Sequence, residues 1–244
     1  MRLFLLAAVL MASLAASPPA SAQGALTPAQ RAEVVGLLRD TLRRDPSILR
    51  DALAALQADD ARKQEGVQAE VLALLAGKLV DPADPVSGNP LGRVTVVEFY
   101  DTRCPYCRQM APIEAELIRL DPRVRIIDKD LPVLGATSEL EARALLAAQR
   151  QGGYYKLQAS ILKQASPSNR DSLRAEAERL GLDGGRLLHD IDDPDIKKRL
   201  NTAIALADEL AIQGTPALVV GDRLLAGAVT LAELQSAVAS ARHR

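Results

Sequence analysis

The two cysteines of the 244-residue chain are the residues best suited to chemistry, because they stand three positions apart in the run Cys104-Pro105-Tyr106-Cys107. Two side chains three residues apart on a helix lie on one face, so the two thiols are within reach of a disulfide. A thiolate attacks a disulfide sulfur, forms a mixed disulfide and is released by a second thiol. The spacing therefore predicts a redox site in which Cys104 is the nucleophile and Cys107 the resolving thiol.

Two other uses of such a cysteine pair have less support. A structural zinc site needs four ligands, and the chain has no further cysteine, while His189 and His243 lie far apart without the spacing of a ligand pair. A structural disulfide that closes so short a loop contributes little stability. We therefore predict no metal site and no cofactor other than a redox-active Cys104–Cys107 disulfide.

The elements on either side of the cysteines explain why Cys104 is the nucleophile. Val94–Tyr100 is β-branched and aromatic, which indicates a buried strand, and a helix follows the polar turn Asp101–Arg103. If Cys104 is the N-cap of that helix, Pro105 occupies the first helical position, where its missing N–H is not needed. The Cys104 sulfur then faces unpaired amides at the positive end of the helix dipole, which favours the thiolate. We expect this sulfur to face solvent and Cys107 to be more buried.

The first 22 residues have the features of an export signal. Met1-Arg2 precedes the apolar run Leu3–Ala16, and Ala20-Ser21-Ala22 matches a cleavage site. The run is too short to span a bilayer, although a retained anchor is the alternative. Cleavage before Gln23 would deliver the chain to an oxidising compartment, where two cysteines form or exchange disulfides.

The formal net charge of −1 gives no basic surface for nucleic acid.

Residues 23–80 are predicted to be helical, with apolar stripes that are too few to form a core of their own. Thr27-Pro28-Ala29-Gln30 is a capping box, a second helix starts at Asp45-Pro46, and a third follows the polar patch Gln57–Gly66. A unit this small seldom stabilises itself, so we predict self-association into a dimer or trimer. Packing of this arm on its own chain is the alternative.

Residues 81–92 are rich in Pro, Gly and Asp and indicate a linker or a turn-rich entry into the next domain.

Residues 93–244 carry the pattern of an α/β domain. Arg123–Leu131 alternates like a second strand, and strand, helix and strand together predict a right-handed parallel unit. Helical patterns fill about 137–211, starting at a predicted capping box of Ser138 and Glu141, and we interpret this block as an insertion beside the sheet. The chain closes with a β-hairpin over 215–226 and a helix over 231–241.

From about Pro85 to its C-terminus the sequence resembles the DsbA-like thioredoxin-fold proteins of the bacterial periplasm. The resemblance rests on V-V-E-F-Y-D-T-R-C-P-Y-C, on the helical block and on I-Q-G-T-P-A-L-V-V-G. It implies an α/β thioredoxin fold with an inserted helical subdomain, preceded by an α-helical N-terminal segment. It also implies that Thr215–Pro216 is a cis peptide that flanks Cys104 and binds the backbone of an extended substrate, with Pro105 and Tyr106 as further substrate-binding candidates.

The strand before the site and the helical N-terminal extension look like the subgroup of suppressor-of-copper-sensitivity C proteins, whose members oligomerise through their N-terminal region. The DsbA enzymes carry His where this chain has Tyr106, and a neutral phenol cannot add positive charge beside a thiolate. A strongly oxidising couple is therefore not implied for this chain.

Together these features predict a homo-oligomeric periplasmic disulfide isomerase or reductase that acts on exported proteins and exchanges electrons with a membrane redox partner. Glu98, which is flanked by apolar residues, is a candidate proton acceptor for Cys107, and a structural side chain at the sheet end is the alternative. A monomeric DsbA-like dithiol oxidase is the alternative function. A thiol protein that binds Cu(I) is the alternative of another class, since a reduced cysteine pair is a soft site.

Overall fold

A computed structural model describes residues 26–242 of the chain, so the predicted signal segment 1–22 lies outside the described residues. The chain divides into two compact units with the boundary between Asp59 and Asp60. The first unit contains helix α1, Pro28–Arg44, and the beginning of helix α2, Ser47–Leu79.

The N-terminal helices follow the predicted start signals but not the predicted number of helices. The capping box of α1 is present, with Gln30 N donating to Thr27 Oγ1 (3.3 Å) and Thr27 N donating to Gln30 Oε1 (3.0 Å). The second and third predicted helices, in contrast, are one continuous helix, α2. The intervening Gln57–Gly66 contains no proline and consists mostly of good helix formers, so its polarity does not end the helix.

The second unit contains five strands and the remaining helices of the described chain. The strands are β1 (Val86–Gly88), β2 (Val94–Tyr100), β3 (Val124–Asp130), β4 (Ala217–Val220) and β5 (Arg223–Ala226). The helices are α3 (Pro105–Leu120), α4 (Ala136–Gln149), α5 (Tyr154–Ile161), α6 (Arg170–Arg179), α7 (Gly184–Asp190), α8 (Pro194–Glu209) and α9 (Leu231–Ala241).

The five strands form one mixed sheet in the order β1-β3-β2-β4-β5. The central pair β2 and β3 is parallel and in register from Val94 opposite Val124 to Tyr100 opposite Asp130, as the strand–helix–strand pattern predicts. The other neighbouring pairs are antiparallel. With α3 connecting β2 to β3 and the hairpin β4–β5 on the far side, this is the predicted thioredoxin fold.

Alternating side chains of the sheet pack into two separate cores, because successive residues of a strand point to opposite faces. One core packs the sheet against α3 and α9, with Val96, Met110, Ile126, Leu218 and Leu234 among its buried members. The other packs the opposite face against α8 and the last turns of α2, with Leu72, Leu79, Phe99, Ile127 and Leu206 among its buried members.

Helices α4 to α8 occupy Ala136–Glu209, close to the span expected for the inserted block, and form a third core that includes both cysteines. The predicted capping box of Ser138 and Glu141 is wrong. The N-cap of helix α4 lies three residues earlier, at Gly135, whose φ of 99° suits a glycine. Both predicted capping residues are buried, and the Glu141 side chain accepts hydrogen bonds from Thr102 and Ser168, which lie outside its own helix.

The boundary predicted for the N-terminal arm and the linker also needs correction. The segment 81–92 contains β1, which pairs with β3, and Lys129 Nζ lies 2.6 Å from Asp84 Oδ2. Leu72 and Leu79 are buried in the sheet domain, and Lys78 forms an ion pair with Glu209 (2.7 Å). The part of α2 that follows Asp59 therefore packs on its own chain through Leu72 and Leu79, although Val67 and Leu74 of the same stretch remain exposed. The apolar stripes of the first unit are exposed as well.

Candidate active site

Cys104 is the N-cap of α3, as predicted, and Pro105 is the first helical residue. The Cys104 amide donates to Asp101 O (3.0 Å), which closes the turn between β2 and the helix. The Cys104 side chain caps no amide of the helix. Its Sγ donates instead to the carbonyl oxygen of Thr215, at 3.2 Å.

The expectation that Cys104 faces solvent is wrong for this structure. Its exposed fraction is 5 %, and that of Cys107 is 3 %. Cys104 is covered because it belongs to the core of the inserted helices and contacts the Thr215 backbone. The two residues between the cysteines are exposed, and Tyr106 has 58 % of its surface accessible.

Both cysteines are free thiols here, and the acidity of the Cys107 thiol is strongly perturbed. Burial raises the pKa of the Cys107 thiol, and the nearby Glu98 carboxyl raises it further. A thiol in this state is a poor nucleophile until a base takes its proton or a disulfide bond to it breaks. This agrees with the division of roles predicted from the helix positions.

The Thr215–Pro216 peptide is cis, as the resemblance implies. Thr215 is half-buried and contacts Cys104, whereas Pro216 is buried and precedes β4. Gly227 N donates to the Pro216 carbonyl (2.8 Å), and Ala217 pairs with Phe99 of β2. The sheet register therefore brings the residues around 215 beside the cysteine turn, although more than a hundred residues separate them.

Asp101 and Thr102 hold the turn in place, and the sequence reasoning missed their roles. The Asp101 carboxylate accepts hydrogen bonds from the amides of Arg103 (2.8 Å), Val133 (2.9 Å) and Leu134 (3.0 Å). Thr102 Oγ1 donates to Glu141 of α4 (2.6 Å). The hydrogen bond from the Arg103 amide to the Asp101 side chain is a local turn motif, which an aspartate at this position could have indicated. Nothing local in the sequence indicates the hydrogen bond between Thr102 and Glu141.

A cluster of three carboxyl groups lies on the sheet beneath α3. Glu98 of β2 is paired in register with Asp128 of β3, and Glu114 lies on the inner face of α3. One carboxylate oxygen from each of the three side chains lies within 4.8 Å of those of the other two. Burial raises the pKa of all three groups, and repulsion between them adds to the effect on Glu98 and Glu114; the pKa of Asp128 rises to about 6. Of the three, the sequence analysis singled out Glu98.

The family of DSBA-like thioredoxin domains matches residues 95–239, well over half of the chain. The chain belongs to this family. Residues 30–63 match a second family, the N-terminal domain of the copper resistance protein ScsC. Both matches agree with the resemblance found in the sequence, and together they identify a DsbA-like thiol–disulfide oxidoreductase domain that follows an ScsC-type N-terminal segment.

Solved structures agree with this assignment. A thioredoxin-like oxidoreductase from Silicibacter pomeroyi DSS-3 is 40 % identical, covers 67 % of this chain and 95 % of its own, and superposes with a TM-score of 0.65. Proteus mirabilis ScsC in a transitional conformation is 30 % identical, covers 88 % of this chain and 98 % of its own, and has a TM-score of 0.64. The second comparison extends over most of the described chain.

Curated relatives include two kinds of protein. The Na(+)/H(+) antiporter NhaA 3 of Salinispora tropica is 33 % identical over 165 residues, which are 66 % of this chain and 25 % of the antiporter. The thiol:disulfide interchange protein DsbA of Bordetella parapertussis is 23 % identical over 167 residues, 63 % of this chain and 76 % of that protein. The chain thus spans about a quarter of the length of the antiporter it matches. Within residues 26–242, no helix combines the length and apolar composition needed to cross a membrane.

Proposed function

We propose that the protein is a periplasmic, homo-oligomeric disulfide isomerase or reductase of exported proteins, working through Cys104 and Cys107. The observation that carries this proposal is the position of the Cys104 sulfur, at the N-terminus of α3 and 3.2 Å from the Thr215 carbonyl. The amides at a helix N-terminus stabilise a thiolate, and the thiolate is the attacking species. The predicted export signal and the family membership support the periplasmic location.

The first step is attack of the Cys104 thiolate on one sulfur of a substrate disulfide. A bond forms between Cys104 Sγ and that sulfur, and the second substrate sulfur leaves as a thiolate. The exposed Pro105 and Tyr106 and the half-buried Thr215 surround this point and supply the surface on which an extended substrate segment lies. Pro216 is buried, so it supports the residues of this surface from the protein interior.

The mixed disulfide has two fates. If a second thiolate of the substrate attacks the substrate sulfur, Cys104 leaves as a thiolate and the substrate disulfide has been rearranged without net redox change. If Cys107 loses its proton and attacks Cys104 Sγ, the substrate leaves reduced and the Cys104–Cys107 disulfide forms. A membrane redox partner that donates two electrons then restores the dithiol.

Self-association is supported by the first unit, where a row of apolar side chains on α1 and early α2 is exposed and none is buried in α1. An isolated chain rarely exposes so many large apolar residues without a partner. The match to the ScsC N-terminal domain over 30–63 covers the same stretch. The exposed residues are Leu26, Val34, Val35, Leu37, Leu38, Leu42, Ile48, Leu49, Leu53 and Leu56.

One experiment tests assembly and function together. We expect Leu38→Glu to lower the mass measured by light scattering to that of one chain, because a carboxylate would be buried in the interface. The exposed neighbour Arg39→Glu is the matched control and should keep the assembly. Recovery of activity from a scrambled-disulfide substrate should fall at least about tenfold in Leu38→Glu, since several sites no longer act on one client. The mass of a single chain in the wild type and in both variants contradicts the assembly.

The same assays separate isomerase from oxidase. Activity on the scrambled substrate supports isomerisation, and failure there with rapid oxidation of a reduced substrate supports the monomeric oxidase. Loss of both activities in Cys104→Ser is expected in either case. Cys107→Ser should trap the mixed disulfide, because the resolving thiol is absent.

Copper binding is a second candidate, because the family that matches residues 30–63 is named for copper resistance. The two thiols are soft ligands for Cu(I). Met110 adds nothing to them, since its sulfur is buried and accepts a hydrogen bond from Val229 N at 3.4 Å. Titration of the reduced protein with Cu(I) decides the matter: tight binding without dithiol exchange would make metal binding the primary role.

A further inference from the structure

Arg108 lies one turn after Cys104 in helix α3, on the side of the helix that faces the active-site turn. Side chains four residues apart on a helix share a face, with their Cβ atoms about 5–6 Å apart, and they lean towards the helix N-terminus. Arg108 Nε accordingly donates to the carbonyl oxygen of Thr102 (3.4 Å), two residues before Cys104. The partly exposed Arg108 side chain is therefore held over the turn that carries the reactive sulfur.

The Arg108 guanidinium has no acidic partner within the part of the chain that the structure describes. The two carboxylates that hold the turn are buried and otherwise engaged: Asp101 accepts three backbone amides, and Glu141 accepts hydrogen bonds from two hydroxyl groups. Arg119, further along the same helix, is in contrast paired with Glu116 (2.6 Å). The positive charge of Arg108 therefore remains available to a molecule that binds at the cysteines.

Two further cations lie at the rim of the same turn. Arg103 donates from its guanidinium to two carbonyl oxygens of the loop between α5 and α6 (3.2 Å each) and lies 3.9 Å from the buried Glu141. Its charge is thus partly neutralised, which leaves Arg108 as the unpaired cation of the turn. The loop that Arg103 holds, residues 162–169, contains one charged residue, the exposed Lys163. The site therefore presents positive charge to solvent, although the formal net charge of the whole chain is −1.

An extended client segment can place a carboxylate at Arg108 when the client cysteine meets Cys104. In an extended chain, residues two positions apart project from the same side and lie about 6.5 Å from each other. This distance matches the separation of about 5–6 Å between side chains four residues apart on a helix. An acidic residue two positions from the client cysteine therefore reaches the guanidinium, whereas one at the adjacent position points away from it.

We propose that Arg108 is a specificity-determining residue, which pairs with an Asp or Glu two positions from the reactive cysteine of the client. The partner is thus an extended, acidic segment of an exported protein. This proposal rests on the proposed thiol–disulfide exchange function and names the clients on which that function acts. A partly exposed ion pair contributes little to stability, but complementary charge raises the rate of encounter, and salt weakens the effect.

The test uses peptide disulfides that differ only at the position two residues from the cysteine, where they carry Glu, Gln or Lys. Attack of Cys104 on the peptide disulfide releases one peptide as a thiol, which is measured by chromatography after acid quenching. We expect the wild type to react about fivefold faster with the Glu peptide than with the Lys peptide at about 0.1 M salt, and less than about twofold faster at about 0.5 M. Peptides with Glu at the adjacent position should react like the Gln peptide.

Replacement of Arg108 should remove this preference. We expect rates equal within about twofold in Arg108→Gln, a reversed order of peptides in Arg108→Glu and the wild-type order in Arg108→Lys. The ratio of rates for two peptides cancels any effect of the substitution on the Cys104 thiolate itself. Arg119→Gln is the matched control, because Arg119 lies about 16 Å further along the helix axis, beyond the screening length of about 10 Å at about 0.1 M salt.

Equal rates with the Glu and Lys peptides in the wild type, or a preference that persists in Arg108→Gln, overturn the proposal. An equal preference for Glu at the adjacent position also overturns it, because that side chain cannot reach Arg108.

A second measurement separates this proposal from the proposed function. It uses dithiodipropionate, a dianion, and cystamine, a dication, whose reaction with Cys104 requires neither isomerase nor reductase activity on a protein. Arg108→Gln should lower the ratio of the two rates, anion over cation, by about threefold. If it does so while scrambled substrates are not recovered, the charge selection stands and the isomerase or reductase function has failed. An unchanged ratio overturns the charge selection.

Discussion

At the scale of single residues, the proposed chemistry depends on the contrast between two thiols three positions apart. Cys104 lies at the start of α3 and contacts a backbone carbonyl, whereas Cys107 lies within the helix above Glu98. Burial and a nearby carboxyl disfavour the Cys107 thiolate. The exposed side chain between them, Tyr106, is the position where a substitution can change the charge at the site without disturbing its packing.

Replacement of Tyr106 tests the electrostatic control of the redox couple. We expect Tyr106→His to shift the glutathione equilibrium about tenfold towards the dithiol, because a protonated imidazole stabilises a neighbouring thiolate. The shift should be larger at pH 6 than at pH 8, where the imidazole is neutral. Tyr106→Phe is the matched control and should leave the equilibrium unchanged. Equal values for both variants at pH 6 would show that this position does not influence the thiolate.

At the scale of elements, the inserted helices hold the active-site turn in place. Glu141 of α4 is fully buried and accepts hydrogen bonds from Thr102 Oγ1 and Ser168 Oγ, both at 2.6 Å. Arg103 donates from its guanidinium to the carbonyls of Ala165 and Ser166, at 3.2 Å each. The turn between β2 and α3 is therefore connected to the loop between α5 and α6. The insertion supports the site as well as covering it.

Removal of the Glu141 carboxylate should weaken the fold. We expect Glu141→Ala to lower the free energy of unfolding by about 3 kcal/mol, because the buried donors of Thr102 and Ser168 lose their acceptor. Urea denaturation followed by circular dichroism measures the change. Glu139→Ala, in the same helix but 54 % exposed, should change it by less than about 1 kcal/mol. Similar losses in the two variants would mean that the Glu141 bonds contribute little.

At the scale of the whole molecule, buried carboxyl groups determine how stability depends on pH. Burial raises the pKa of Asp128 to about 6 and that of Asp130 to about 8. Asp130 is in contact with a buried tyrosine pair: Tyr154 Oη lies 3.0 Å from Asp130 and 2.8 Å from Tyr100 Oη. Between their unfolded and folded pKa values these groups bind more protons in the folded state, so stability falls as the pH rises.

The free energy of unfolding should therefore be highest near pH 4 to 5 and fall as the pH rises to about 8. Each titrating group contributes a slope of up to about 1.4 kcal/mol per pH unit, within its own window. Asp130→Asn should flatten the curve between pH 6 and 8, because the Asp130 carboxyl no longer titrates there. Asp208→Asn, at an exposed position, is the control. A wild-type curve that rises between pH 5 and 8 contradicts the assignment of these buried groups.

Several parts of the site were predictable because they depend on residues close together in the chain. The strand before the cysteines, the N-cap at Cys104 and the Pro at the first helical position follow from spacings of one to three residues. The strand–helix–strand order also predicted the parallel pairing of β2 and β3. The predicted break within α2 was wrong because polarity alone does not stop a helix that lacks proline.

Other features needed the folded chain. These features involve contacts between residues of different elements. They are the burial of Cys104, the hydrogen bonds of Glu141, and the juxtaposition of Glu98 with Glu114 and Asp128. Helical and strand periodicity records which side of its own element a residue occupies, but not what lies opposite. The sequence by itself thus predicted the cysteine pair as the redox site and placed Cys104 at the start of its helix. Only the tertiary structure decided which carboxyl groups lie buried together beneath that helix, because their distances and burial arise when the sheet and the helix pack together.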